Sequence, residues 1–183
     1  METKIEIPEK INVEVNERKI IVKGPKGSID KDFDDPRYNK SIQIKKEDSS
    51  LIISSQSDKR KTKAMIGTIK AHVRNMIQGL DEGFKYKLQA VSVHFPITLK
   101  VDEANNKLLI KNFLGEKKDR VIRLISGVNI KINKDVIELE SADIEKAGLV
   151  ASNIEKGTKI RFRDRRIFQD GIFITEKPGR KII

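Results

Sequence analysis

The stretch SIQIKKEDSSLIISSQSDKRKTKAMIGTIKAHVRNMIQG (residues 41–79) changes its apolar period midway, and that change decides the fold class. Ile42 and Ile44 alternate with polar residues, Glu47, Asp48, Ser49 and Ser50 make a polar break, and Leu51, Ile52 and Ile53 follow. A period of two marks a half-buried strand, and two such runs across a short break make a hairpin. Between residues 59 and 78 the apolar residues are instead Met65, Ile66, Ile69, Val73, Met76 and Ile77. They form one stripe of an amphipathic helix. Gly79 is expected to cap its C-terminus. Lys63, Lys70 and Arg74 fall on the face away from the stripe, a solvated surface or a secondary contact for RNA or protein.

Outward from this stretch the same two patterns recur. Residues 11–16 alternate, Ile20, Ile21 and Val22 lead into a turn imposed by Gly24-Pro25, and residues 28–33 can return as a strand. Residues 84–88 alternate after the helix, and residues 91–95 extend to Pro96 as a closing strand. Beyond Pro96 come further short strands at residues 97–101, 107–113 and 120–124. Residues 128–132 and 136–139 form a hairpin across Asn133, Lys134 and Asp135. Ser141 opens a second helix with the stripe Ile144, Ala147, Ala151 and Ile154, closed by Gly157, and residues 171–175 are a last strand.

The two halves correspond at a nearly constant offset. Val101 answers Val15, residues 111–115 answer residues 23–27, and Gly148 and Ile154 answer Gly67 and Val73. The expectation is an α+β protein of two duplicated domains, 1–95 and 96–183, each an antiparallel β-sheet packed on one main helix.

Of 183 residues 36% are charged and 37% hydrophobic, with a net charge of +11. A balance this basic points to an acidic polymer, nucleic acid first and an anionic membrane second. The absence of cysteine excludes disulfides, thiol catalysis and cysteine metal sites. No run approaches the ~20 apolar residues of a membrane helix, and METKIEIPEK at the start lacks the apolar core of a signal peptide, so a cytoplasmic location is expected.

Residues 156–183, KGTKIRFRDRRIFQDGIFITEKPGRKII, concentrate the charge. They hold nine Lys or Arg against three acidic residues, more than half of the net charge of the chain. Phe162, Phe168 and Phe173 lie among them as anchors that would tie the segment to a core. Lys159, Arg161, Arg163, Arg165 and Arg166 along an extended segment, with Lys177, Arg180 and Lys181 in the tail, are the candidate phosphate contacts, because each neutralised phosphate releases condensed counterions. Arg grips phosphate with two parallel hydrogen bonds, which Lys does not. Phe168 and Phe173 are expected in the core rather than stacked on bases. Asp170-Gly171 is expected to make a turn that aims the arginines, and Asp164 and Glu176 to pair with adjacent arginines.

Nothing in the sequence composes a catalytic site, a metal site or a cofactor site. His72 and His94 are far apart and read as structural. Lys-Gly-Pro-Lys-Gly (residues 23–27) lacks the Gly-Lys-Ser/Thr ending of a P-loop. A hydrolase would need clustered carboxylates or histidines, and a peripheral membrane protein would need large apolar anchors on a basic helix.

Six segments together resemble the large-subunit ribosomal protein six family. They are VKGPKG (22–27), HVRNMIQG (72–79), GFKYKL (83–88), HFPI (94–97), NFLGEK (112–117) and RIFQDGIF (166–173), the last similar to the archaeal and eukaryotic branch, where Tyr is expected in place of Phe173. The resemblance implies two duplicated domains and direct binding of large-subunit ribosomal RNA, mainly by the second domain. It also implies a position near the sarcin–ricin loop and the base of the factor-recruiting stalk, with the first domain on the stalk-base side among neighbouring ribosomal proteins and with translation factors nearby. No membrane or small-molecule substrate is implied. The rival reading is a free-standing RNA-binding protein with a sheet platform, which would want exposed aromatics on central strands.

Overall fold

A computed structural model describes residues 2–38, 41–47, 49–164 and 166–182. The chain divides into two compact units, Met1–Gly83 and Phe84–Ile183. In the first are β1 (Glu2–Glu6), β2 (Asn12–Asn16), β3 (Lys19–Gly24), β4 (Gly27–Asp32), β5 (Ile42–Glu47), β6 (Ser50–Ser55) and α1 (Arg60–Asp81). In the second are β7 (Phe84–Val91), β8 (Thr98–Asp102), β9 (Lys107–Lys111), a short 3-10 turn, β10 (Arg120–Arg123), β11 (Asn129–Asn133), β12 (Val136–Ser141), α2 (Ile144–Gly157), β13 (Gly171–Lys177) and β14 (Arg180–Lys181).

Both units follow one plan. The first pairs β1-β6-β5 in one sheet and β2-β3-β4 in another. The second pairs β7-β12-β11 and β8-β9-β10 in the same order, then adds β13 and β14 on the far edge of β7. All ladders are antiparallel. The duplication and the α+β class are thus present, with the strands of each unit split between two sheets rather than one.

The periods explain the burial. On β7, Phe84, Tyr86, Leu88 and Ala90 are buried and alternate with more exposed residues. Their partners Leu139 and Ile137 on β12 are buried as well. Onto this face α2 lays Ala147, Val150, Ala151 and Ile154, all fully buried. In the first unit Ile66, Ile69, Val73 and Leu80 of α1 are buried, as are Val22 of β3 and Leu51 and Ile53 of β6.

Several boundaries differ from expectation. The division falls at Gly83/Phe84 rather than Phe95/Pro96, because β7 is not a closing strand of the first unit. It pairs with β12 and β13 and is the middle strand of the second unit's sheet. It also stops at Val91 instead of reaching residue 95. Gly79 is not a cap but a buried interior residue of α1, since the fully buried Leu80 carries the stripe one turn on. The left-handed residue is Gly83, with φ 79°. Ser141 ends β12, and Asp143 caps α2 by accepting the Glu145 N–H at 2.9 Å. Finally, β1 lies within METKIEIPEK, a stretch with no expected strand.

One close approach fixes the α1 end of the first unit. A Cβ on Gly24 would stand 2.9 Å from the Leu80 Cβ, closer than van der Waals contact allows. Gly24→Ala is expected to cost about 2 kcal/mol through overpacking. Thermal unfolding should show the loss, and an unchanged midpoint would mean that β3 and α1 can separate freely.

Candidate nucleic-acid interface

The basic segment is two structures, not one extended run. Residues 158–164 and 166–170 form irregular loop segments between α2 and β13, and residues 177–181 belong to the β13–β14 hairpin, whose turn is Pro178-Gly179 with Gly179 at φ 72°. Strand β13 separates them, and its length of roughly 20 Å sets their spacing.

Both roots of the loop are fixed. At the α2 end the buried Thr158 Oγ1 donates to the Ile154 carbonyl at 3.3 Å and accepts the Ile172 N–H at 3.0 Å. At the β13 end Asp170, with only 1% of its side chain exposed, accepts three hydrogen bonds. Oδ1 takes the N–H groups of Val93 at 2.8 Å and His94 at 3.1 Å, and Oδ2 lies 2.7 Å from His94 Nδ1. Burial pushes the Asp170 carboxyl up, but the His94 ring and the His94 and Val93 N–H groups outweigh it and hold its pKa below the ordinary value.

From that carboxylate a stack leads outward. The His94 ring lies on Phe168 at 4.7 Å between centroids, and the Arg163 guanidinium covers Phe168 at 4.8 Å. A buried anion therefore orders an imidazole, the imidazole supports a phenyl ring, and the ring carries a surface cation.

Lys159, Arg161, Arg163 and Arg166 are all exposed on this loop, and Lys177, Arg180 and Lys181 are exposed on the hairpin. Arg165 lies outside the described residues. Lys159, Arg161 and Arg163 share a groove with Glu116 and Arg120. Arg120 holds Glu116 through Nε–Oε2 at 2.8 Å and donates to the Gly157 carbonyl at 2.9 Å, so the one acid of that groove is already paired. Arg166 is engaged: its Nη2 meets Asp164 Oδ2 at 3.1 Å, and this hydrogen bond lowers the Asp164 pKa. That pairing matches expectation. Among the described residues Glu176 pairs with no arginine; it faces Lys87 across the β7–β13 ladder at 2.9 Å.

Of the three aromatics, only Phe168 is an anchor as expected. Phe173 is 41% exposed, because Ile172 takes the inward position and the alternation turns its neighbour out. Phe162 is fully exposed, and at φ 59° it occupies the left-handed region. Nothing local in the sequence marks Asp170 as a clamp, since its partners lie far away along the chain.

In the first unit Lys70 and Arg74 line a groove beside β1, whereas Lys63 stands apart, 3.5 Å from Asp58. Among the described residues no cluster of His, Asp and Glu is arranged to hold a metal ion, and no helix is long and apolar enough to cross a membrane.

Two α+β units of one plan, the second carrying cations on a loop pinned at both roots, define the class of a duplicated basic scaffold protein. The family model described as Ribosomal protein L6 matches residues 7–83 and again 92–171. A protein of Desulfurococcus amylolyticus called "Large ribosomal subunit protein uL6" is 47% identical over 174 residues, covering 95% of this chain and 93% of its own. Proteins of the same name from Staphylothermus marinus (46% identical, 93% and 91% covered) and Methanothrix thermoacetophila (42%, 95% and 96%) are similar. The chain belongs to the ribosomal protein L6 family.

Proposed function

We propose that the chain is a non-enzymatic, structural constituent of the large ribosomal subunit in the cytoplasm, binding ribosomal RNA and neighbouring ribosomal proteins. The RNA contact is assigned to Lys159, Arg161, Arg163 and Arg166 on the loop, to Arg165 of the same basic run, and to Lys177, Arg180 and Lys181 on the hairpin. It lies near the sarcin–ricin loop and the base of the factor-recruiting stalk, within reach of translation factors, and the first unit faces protein neighbours, with Lys63, Lys70 and Arg74 as a secondary surface. The observation that carries this reading is the fixed loop. Folded RNA is recognised by shape and phosphate, which calls for cations on a rigid scaffold. A free-standing RNA-binding protein with a sheet platform is disfavoured, because Phe84 and Tyr86 of the central strand β7 are buried.

The test is binding to isolated large-subunit ribosomal RNA across a salt series, comparing the intact chain with Lys159→Ala/Arg161→Ala/Arg163→Ala. Substitution is needed because truncation would remove β13 from its sheet. Equal binding by both forms would move the contact elsewhere.

Phe162 adds a separable expectation. Its exposed ring is placed to stack on an unpaired base, a contact worth roughly 1–3 kcal/mol. Its left-handed backbone costs about 1 kcal/mol that glycine would not incur. Phe162→Gly should therefore raise the stability of the free chain and lower RNA affinity about tenfold. Changes of equal sign in unfolding and binding would contradict this.

A further inference from the structure

The duplicated plan leaves one place filled in the second unit and open in the first. Strand β7 pairs with β12 on one edge and β13 on the other. Its counterpart β1 pairs with β6 alone among the described residues. The remaining edge borders a groove lined by Lys4 and Glu6 of β1 and by Lys70, Arg74, Ile77 and Asp81 of α1. The Ile7 N–H donates to the Ser49 carbonyl at 2.8 Å, so by the two-residue alternation Ile5 and Thr3 also face β6. Glu2, Lys4 and Glu6 then direct their N–H and C=O groups to the open side.

We propose that this edge receives an extended segment of another protein, added antiparallel to β1 in the place that β13 takes on β7. The charges specify that segment. Strand β6 passes to α1 beside Glu2, which is opposite Ser54, so α1 runs alongside β1 in the same direction. Along α1 the groove presents Lys70 and Arg74, then Ile77, then Asp81, while Lys4 and Glu6 alternate with the buried Ile5 and carry their side chains on the other face of the sheet. On the α1 side an antiparallel strand therefore enters with a basic residue against Asp81, meets Ile77 with an apolar one and leaves with an acidic one against Arg74 and Lys70. On the other face its alternate residues meet Glu6 with a base and Lys4 with an acid. A second copy of this chain does not fit, because self-pairing about Lys4 sets Lys4 against Lys4 and Glu2 against Glu6, and like charges directly opposite repel. Strand addition supplies affinity through the main chain and selectivity through alternate side chains. The proposal rests on membership of a ribosomal family and is independent of the RNA contacts assigned above.

The test uses large ribosomal subunits containing the full chain, compared with the free protein. Amide exchange at Glu2, Lys4 and Glu6 is expected to slow roughly 100-fold in the subunit, as for hydrogen-bonded strand amides. Zero-length carbodiimide coupling is expected to join Lys4 and Lys70 to carboxylates of a second protein. Lys4→Pro removes an N–H that β6 does not use, so the free chain should unfold at an unchanged temperature while the Lys70 cross-link to the second protein disappears. Unchanged exchange in the subunit would overturn the proposal. So would coupling of Lys4 and Lys70 only to this chain's own second unit, or photo-cross-links from this edge to RNA alone.

Discussion

Replacing Asp170 by alanine is expected to destabilise the second unit by about 3 kcal/mol, since a buried carboxylate gives up three part-buried hydrogen bonds of about 1 kcal/mol each. In a unit of this size the loss lowers the unfolding temperature by roughly 15 °C. The Val93 and His94 N–H groups lose their acceptor, and the His94 ring loses its partner. Because His94 supports Phe168 and Phe168 carries Arg163, the variant should also weaken RNA binding while its unfolding remains cooperative. Asp170→Asn is the milder change, since an amide oxygen can still accept from the backbone. The pH dependence has a definite sign. A carboxyl whose folded pKa is depressed contributes fully above its unfolded value of ~4 and loses that contribution as pH falls through the lower folded value. The gap in stability between the parent and Asp170→Asn should thus be widest near neutrality and close in acid. A gap independent of pH would mean that ionisation of Asp170 contributes nothing.

How much of this was legible depends on the range of the interaction. The period-two and 3.6-residue patterns are local, so β2, β3, β6, the β11–β12 hairpin and the stripes of both helices can be read directly from the residues. The repeat survives as offset pairs such as Val15 and Val101 because both stand in the first strand of a meander. Membership of β7 is a different matter. Sequence adjacency to α1 suggests the first unit, whereas burial of Tyr86 and Leu88 against β12 assigns it to the second. The Asp170 clamp is invisible for the same reason: a buried acid and the backbone it holds meet only after the sheet closes. Exposure of cations is the default for Lys and Arg and follows from residue type alone. Exposure of Phe162 does not, because interleaved aromatics usually anchor, whereas here the ring stands fully exposed on a left-handed backbone.

Lys159→Ala/Arg161→Ala/Arg163→Ala is expected to lower affinity for large-subunit ribosomal RNA about a hundredfold at 0.1 M salt. The slope of log affinity against log salt should flatten by about 2 to 3, since each lost phosphate contact returns just under one counterion. Arg166 provides an internal comparison. Its guanidinium already binds Asp164, so Arg166→Ala should weaken binding far less than Arg161→Ala, whose side chain pairs with no carboxylate among the described residues. Asp164→Asn deletes a negative charge and frees that guanidinium, so it should strengthen binding several-fold. The hairpin cations Lys177, Arg180 and Lys181 stand a strand's length away, beyond the distance at which substitutions usually couple. If loop and hairpin both touch the same RNA, their alanine variants should lose affinity additively in the logarithm, each with its own share of the salt slope. Loss confined to one group would reduce the interface to a single phosphate track, and the other end of β13 would then be solvated surface.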